Sequence, residues 1–241
     1  MSSCLVQGLE KDLLSQMFKY QILIEYVGTN FRGWQVQKKG KTIQGLLQEK
    51  ISKILREKII LFGSGRTDTG VHAFEQSAHF ECKKKIDNLD KFLKSINHFL
   101  NKDLVTILKI KKKNYNFHSR FSAKMRVYKY IIINRLSKPV LDKNRGWHIM
   151  NKLDLKMMNK AAKLLIGTKD FSSFRASSCR AKSPIKTMKS VKIKFKNNKI
   201  EIEFKSQSFL QKQVRSMVGC LKYVGEKKWT LKKFIYVMNS K

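Results

Sequence analysis

The sequence has few of the features that typify secreted, membrane-spanning or metal-binding proteins. Its 241 residues include only two prolines and four cysteines. The cysteines lie far apart and form no CxxC pair, which argues against a zinc site and against a disulfide-stapled secreted scaffold. The five histidines show no metal-ligand spacing, and no apolar run is long enough to cross a bilayer. We therefore expect a cytoplasmic protein that does not associate with membranes.

Acidic residues are also scarce. The chain has 17 Asp and Glu against 52 Lys and Arg, which gives a formal net charge of +35. An imbalance of this size predicts a polyanionic partner, with nucleic acid ahead of a membrane surface. Most of the basic residues are lysines, so compositional drift remains an alternative explanation. Hydrophobic residues make up 42% of the chain, as in an ordinary globular protein.

The N-terminal residues 1–17 read as an extension, because they lack the basic start and continuous apolar run of a signal peptide. Apolar residues recur there every four positions and permit a short helix: Leu5, Leu9, Leu13 and Met17.

The first half of the chain, residues 18–115, alternates between strand-like and helix-like periodicity. Strands are predicted at 20–27, 59–62, 76–81 and 104–110, and helices at 42–58 and 89–100. The order β-α-β-β-α-β is that of the ferredoxin-like, split-βαβ arrangement.

The second half, residues 116–241, repeats this pattern more loosely. Strands are predicted at 125–134, 185–195 and 200–205, and helices at 155–166, 209–224 and 230–238. No Pro- or Gly-rich linker separates the halves. We therefore predict an α+β fold in which two ferredoxin-like halves pack around a continuous mixed or antiparallel sheet with a central cleft.

A glycine-rich loop, GSGRTDTGVHA at 63–73, follows the second predicted strand. A P-loop would require Lys-Ser or Lys-Thr after its last glycine, where this chain has Val-His. A GxGxxG fingerprint starting at Gly63 would require glycine at Asp68, where a carboxylate would repel a pyrophosphate. The neighbouring Arg66 favours the ionised carboxylate, which could act as a nucleophile or base. The alternative is an ordinary turn aspartate that bonds its own backbone.

The loop resembles the GRTDxGVH motif of the tRNA pseudouridine synthase A family. Further segments resemble family motifs in the same order: FRGWQVQ (31–37), TIQGLLQ (42–48), FHSRFSAKMRVYKYIIIN (117–134), DFSSFRA (170–176) and SFLQKQVRSMVG (208–219). The resemblance runs from about residue 18 to about residue 225. It implies that the chain isomerises uridine to pseudouridine in tRNA without a cofactor or metal.

The resemblance also implies roles for individual residues. Asp68 matches the catalytic aspartate, and Arg66 an arginine that replaces or guides the extruded base. Tyr128 matches the tyrosine that packs against the flipped uracil, and Arg215 an arginine that pairs with the aspartate.

Other residues in these motifs receive more modest interpretations. We expect His72, His118 and Tyr130 to be structural, and Phe171 and Phe174 to be core residues. Arg32 and Trp34 could contact RNA from a surface loop.

The expected partner is tRNA, bound in the central cleft through its anticodon arm. The resemblance points to uridines on the 3′ side of the loop and stem, at tRNA positions 38, 39 and 40, and to a homodimer. Binding should weaken with salt.

One departure concerns the C-terminus, where a terminal strand with a GLxLxxV-like pattern is not found before Lys241. We therefore expect a shortened C-terminus and an open sheet edge. This departure leaves a noncatalytic tRNA-binding protein or RNA chaperone as the alternative function. An RRM-like RNA binder is less favoured, because its RNP signature is absent.

Overall fold

The computed structural model describes residues 17–240. The chain divides into two compact units, one ending at Ala123 and the other beginning at Lys124. The predicted N-terminal helix falls almost entirely on residues outside the described range. The domain limits at 17/18 and 115/116 remain a prediction.

Within residues 17–123, the first unit contains four strands and two longer helices. These are β1 (Phe18–Tyr26), α1 (Ile43–Leu55), β2 (Leu61–Gly63), β3 (Ala73–Cys82), α2 (Leu89–Leu100) and β4 (Val105–Lys113). The strands form an antiparallel sheet in the order β2-β3-β1-β4. This is the strand order of a ferredoxin-like fold, so the prediction for the first half is confirmed.

The core of this unit lies between one face of the sheet and the two helices. Tyr20, Ile22, Ile24 and Tyr26 alternate along β1 and are all buried. The helices bury their apolar stripes against them, including Leu47 of α1 and Ile96 of α2. Helix α1 begins where the Thr42 hydroxyl accepts a hydrogen bond from the Gly45 amide, as its sequence predicts.

The second unit contains five strands and three longer helices. These are β5 (Arg126–Asn134), β6 (Trp147–Ile149), α3 (Leu155–Leu164), β7 (Gly167–Asp170), β8 (Ile185–Lys196), β9 (Lys199–Ser206), α4 (Gln213–Gly225) and α5 (Leu231–Asn239). Their sheet has the order β6-β5-β9-β8-β7, antiparallel except for the β5–β6 pair. The β5-β9-β8 core and its helices follow the ferredoxin-like plan. Phe171 and Phe174 are buried in this core, as predicted.

Three details of the predicted fold are wrong. The described strands form two sheets rather than one continuous sheet, because each unit's strands pair among themselves and the connection at 114–125 contains no strand. Helix α4 begins at Gln213 rather than at residue 209, because Lys212 before it adopts a left-handed conformation (φ 60°). Strands β6 and β7 were not predicted, because three or four residues are too few to show a periodicity.

The edge of β5 opposite β9 pairs with β6 through only three residues, Ile132–Asn134.

Within residues 17–240, no helix is both long enough and apolar enough to span a membrane.

Candidate active site

The glycine-rich loop connects β2 to β3 in the first unit. Strand β2 ends at Gly63, and β3 begins at Ala73. Asp68 lies near the middle of this loop with its side chain partly exposed, and Arg66 is exposed two residues earlier. The loop therefore presents a carboxylate and a guanidinium from the same short stretch of backbone.

Residues 26–34, here called the supporting segment, hold this loop through a series of hydrogen bonds. The Trp34 amide donates to the Thr67 carbonyl oxygen at 3.0 Å, and the Gly70 amide donates to the Phe31 carbonyl oxygen at 3.4 Å. The hydroxyls of Tyr26 and Thr67 lie 2.8 Å apart in a further hydrogen bond. These contacts flank Asp68 on both sides, so its backbone position is fixed.

Two glycines allow the supporting segment to approach so closely. A Cβ atom on Gly28 would lie 1.9 Å from the Val71 carbonyl oxygen. A Cβ atom on Gly33 would lie 2.5 Å from the Thr67 carbonyl oxygen, and Gly33 also has a positive φ of 81°. Any side chain at either position would displace the loop that carries Asp68.

His72 closes the far end of the loop. Its Nδ1 accepts a hydrogen bond from the Gly28 amide at 3.0 Å. An accepting Nδ1 carries no proton, so the neutral ring holds its proton on Nε2. This contact agrees with the structural role expected for His72.

The near end of the loop rests on Trp34 and β3. A Cβ on Gly63 would lie 2.6 Å from the Trp34 ring. The Gln76 side chain donates to the Gly65 carbonyl oxygen at 2.6 Å. Trp34 is only 1% exposed, so the expectation that it contacts RNA from the surface is wrong. Its indole is buried beneath the loop, whereas the neighbouring Arg32 is exposed.

The other two predicted site residues lie in the second unit. Tyr128 and Tyr130 lie on the same face of β5, and the Tyr128 ring makes an edge-on contact with Phe209 at 4.9 Å between centroids. Burial raises the pKa of the Tyr130 phenol, and the nearby positive charge of Arg215 opposes that rise. Arg215 is exposed on α4. Within the second unit, Arg215 therefore lies near Tyr130, which shares one face of β5 with Tyr128.

The supporting segment was not recognised from the sequence. FRGWQVQ resembles a family motif, but its residues do not indicate that Gly33 and Trp34 contact a loop about thirty residues later in the chain. The sequence signal for the supporting segment is the pair Gly28 and Gly33. These glycines enclose a short stretch of chain, as Gly65 and Gly70 do in the loop. Among residues 17–240, no group of three His, Cys, Asp or Glu side chains could hold a metal ion.

Comparison with known proteins identifies the family to which this site belongs. A family model described as tRNA pseudouridine synthase matches residues 22–122 and 161–241. The chain therefore belongs to the tRNA pseudouridine synthase family.

Two relatives extend this result over most of the chain. The tRNA pseudouridine synthase A of Pelagibacter ubique (strain HTCC1062) is 68% identical over 225 residues, which cover 93% of this chain and 92% of the relative. The tRNA pseudouridine synthase A of Ehrlichia canis (strain Jake) is 44% identical over 209 residues, which cover 86% and 85%.

Proposed function

We propose that this chain isomerises uridine to pseudouridine in tRNA, with Asp68 as the catalytic residue. The observation that carries the proposal is the intact GRTDTGVH loop, fixed by the supporting segment, in a chain 68% identical to a tRNA pseudouridine synthase A. The net charge of +35 suits a polyanionic substrate.

The reaction is an isomerisation, so the atomic composition of the nucleotide does not change. The bond from uracil N1 to ribose C1′ breaks, the uracil rotates, and a bond forms from C5 to C1′. The hydrogen on C5 leaves as a proton, and N1 gains one. Because no electrons are gained or lost overall, the chemistry can be performed by acid, base and nucleophilic groups alone.

Asp68 is suited to this step by its position and by its charge. A carboxylate held at a fixed point can attack ribose C1′, or stabilise positive charge on the sugar and remove a sugar proton, as the uracil leaves. Its loop is ordered by contacts on both sides, so little reorganisation is needed when the substrate arrives. Arg66, on the same loop, would fill the space left by the extruded base or guide the release of that base.

The family resemblance also implies roles for Tyr128 and Arg215, which lie in the second unit. Extruding a uridine from its stack costs a few kcal/mol, which new contacts in the enzyme must offset. The Tyr128 ring, fixed edge-on against Phe209, would pack on the flipped uracil. Arg215 would keep the role that the family resemblance implies for it.

The finer features of the substrate and assembly belong to the same proposal. We infer that the tRNA is bound through its anticodon arm, that uridines on the 3′ side of the loop and stem are modified, and that the enzyme is a cytoplasmic homodimer. Shape, phosphates and 2′-hydroxyls dominate recognition of structured RNA, which suits an abundance of lysines.

Release of tritium from C5-labelled uridine in unmodified tRNA tests the proposal directly. Wild type should release tritium, and Asp68→Ala should release none while binding the tRNA nearly as tightly. A folded wild type that binds tRNA without releasing tritium would identify a noncatalytic tRNA-binding protein instead. Strong loss of binding in Asp68→Ala would contradict the catalytic role of that residue.

A further inference from the structure

Three aromatic rings meet on the surface of the first unit, outside the site described above. They belong to Phe62 of β2 and to His118 and Phe121 of the connection that follows β4. The His118 ring lies 5.8 Å from Phe62 and 4.4 Å from Phe121, measured between centroids. These three side chains are here called the aromatic platform.

The two phenylalanine rings of the platform are exposed, although they are apolar. Phe62 is 44% exposed and Phe121 is 76% exposed. Burying a phenylalanine side chain stabilises a protein, so leaving two neighbouring rings in water forgoes that stabilisation. Contiguous exposed aromatic surface of this kind commonly marks a binding site.

The platform is held in place from below. Ser119 is 2% exposed, its hydroxyl donates to the Phe62 carbonyl oxygen at 2.6 Å, and its amide donates to His79 Nδ1 at 3.2 Å. The buried His79 ring stacks on Phe62 at 5.1 Å and contacts His118 at 4.6 Å. The segment from His118 to Phe121 is thus fixed to β2 and β3, and its rings are ordered before any ligand binds.

The two histidines under and within the platform are neutral at neutral pH. Burial lowers the pKa of His79 to about 4. Burial, with the positive charges of Lys19 and Arg120, also lowers the pKa of His118. The Arg120 amide donates to His118 Nδ1 at 3.2 Å, so the neutral ring carries its proton on Nε2. An uncharged imidazole stacks on other flat rings as an aromatic side chain does.

Basic side chains lie near these rings, and one of them, Lys19, is paired with Glu81 at 2.9 Å. The Arg120 guanidinium lies 5.7 Å from the centre of the Phe121 ring. Lys113 lies over the adjacent Phe117 ring at 5.0 Å, and Lys19 is bonded to the carbonyl oxygens of Tyr115 and Phe117. Aromatic faces amid cations suit an unpaired stretch of nucleic acid, whose bases stack while its phosphates meet the cations. An apolar protein segment would gain nothing from these charges.

We propose that Phe62, His118 and Phe121 form a stacking platform for unpaired nucleobases of the bound tRNA. This inference rests on the proposed function, and it adds a base-binding site beside the catalytic loop. Phe62 is the residue before Gly63, where that loop begins, and it precedes Asp68 by six positions. The platform would hold nucleotides that flank the target uridine.

The sharpest test compares Phe121→Leu with Phe99→Leu. Leucine keeps an apolar side chain but removes the ring face. Phe99 is a matched control, because it is 40% exposed on α2 and has Lys53 at 5.9 Å from its ring. The probe is an RNA hairpin whose unpaired loop contains 2-aminopurine, a fluorescent base that is quenched when it stacks.

Phe121→Leu should weaken binding of this hairpin about tenfold and relieve the quenching, since the stacking of a base on an aromatic ring contributes to affinity. Phe99→Leu should leave both unchanged, and Phe121→Tyr should restore both. Unchanged affinity and quenching in Phe121→Leu would overturn the proposal. A changed oligomeric state of Phe121→Leu in sedimentation would overturn it as well, because the ring would then cover a protein interface.

The test separates this inference from the proposed function. Tritium release by wild type reports on the isomerisation alone. Oligouridylate binding by wild type and Phe121→Leu reports on the platform alone, even with an enzyme that shows no turnover. A folded Phe121→Leu, with its thermal unfolding unchanged, that binds oligouridylate as tightly as wild type would reject the platform whatever the tritium assay shows.

Discussion

At the scale of single residues, the hydroxyl of Tyr128 provides a sensitive probe of the proposed chemistry. Phenylalanine at this position keeps the ring against Phe209 but removes the hydroxyl. We expect Tyr128→Phe to retain tRNA affinity and to lower turnover by ~10²-fold, the usual range for loss of a group that assists proton transfer. Single-turnover tritium release measures this. Tyr130→Phe, on the same face of β5, should release tritium at nearly the wild-type rate. A Tyr128→Phe rate equal to that of wild type would exclude a role for the Tyr128 hydroxyl.

A second residue-scale prediction concerns the pH dependence of stability. The buried His79 ring has its pKa lowered to about 4 by burial, with His118 and Lys19 adding to the effect. In the unfolded chain this ring binds a proton as the pH falls through about 6.5, whereas the folded protein excludes it until about pH 4. Above pH 6.5 the ring is neutral in both states, and the free energy of unfolding has its full value. As the pH falls from 6.5 towards 4, proton binding by the unfolded chain lowers the free energy of unfolding.

The expected loss from His79 is up to about 3 kcal/mol at pH 4. Denaturant unfolding of wild type and His79→Gln at several pH values measures it. The variant should show a flatter pH dependence, and His98→Gln, at an exposed position on α2, should match wild type. Parallel curves for wild type and His79→Gln would show that His79 is not the residue responsible.

At the scale of elements, the supporting segment and the glycine-rich loop behave as one unit of structure. A Cβ on Gly28 would lie 1.9 Å from the Val71 carbonyl oxygen, and backbone must move to accommodate it. We expect Gly28→Ala to lower the free energy of unfolding by about 1–3 kcal/mol and to reduce turnover sharply, since the shifted loop carries Asp68.

Gly219 supplies the contrasting case. It lies inside α4, and a Cβ there meets no atom within 4 Å. Gly219→Ala should raise the free energy of unfolding by about 0.5–1 kcal/mol, because alanine favours a helix over glycine. Thermal unfolding of both variants checks the pair. A Gly28→Ala protein as stable and active as wild type would show that the loop tolerates displacement.

The same scale shows what the sequence could predict. Long elements with a clear period, such as β1 and α2, were predicted because their apolar residues reveal which face is buried. The glycines around Asp68 likewise revealed the loop. Strand β6 could not be predicted, because three residues become a strand only by pairing with β5. The burial of Trp34 was also hidden, since it depends on Gly63, which is distant in sequence.

At the scale of the whole molecule, charge dominates. A net charge of +35 implies that tRNA binding releases many counterions. If six to ten phosphates are neutralised, affinity should fall by about 10³–10⁵ between 50 and 200 mM salt. Filter binding across this range measures the slope. A shallow slope would favour compositional drift as the origin of the lysines, because lysines that do not meet phosphates leave binding insensitive to salt.

Hydrogen bonds between the supporting segment and the loop also determine at which step the loop loses conformational entropy. One of them joins the Gly28 amide to His72. Fixing the backbone of one residue costs about 1–2 kcal/mol, so a loop left disordered until tRNA arrived would subtract that amount per residue from binding. In this protein the loop becomes ordered when the chain folds. The free energy of contact with tRNA is then not spent on ordering this loop, which is already preorganised when the substrate binds.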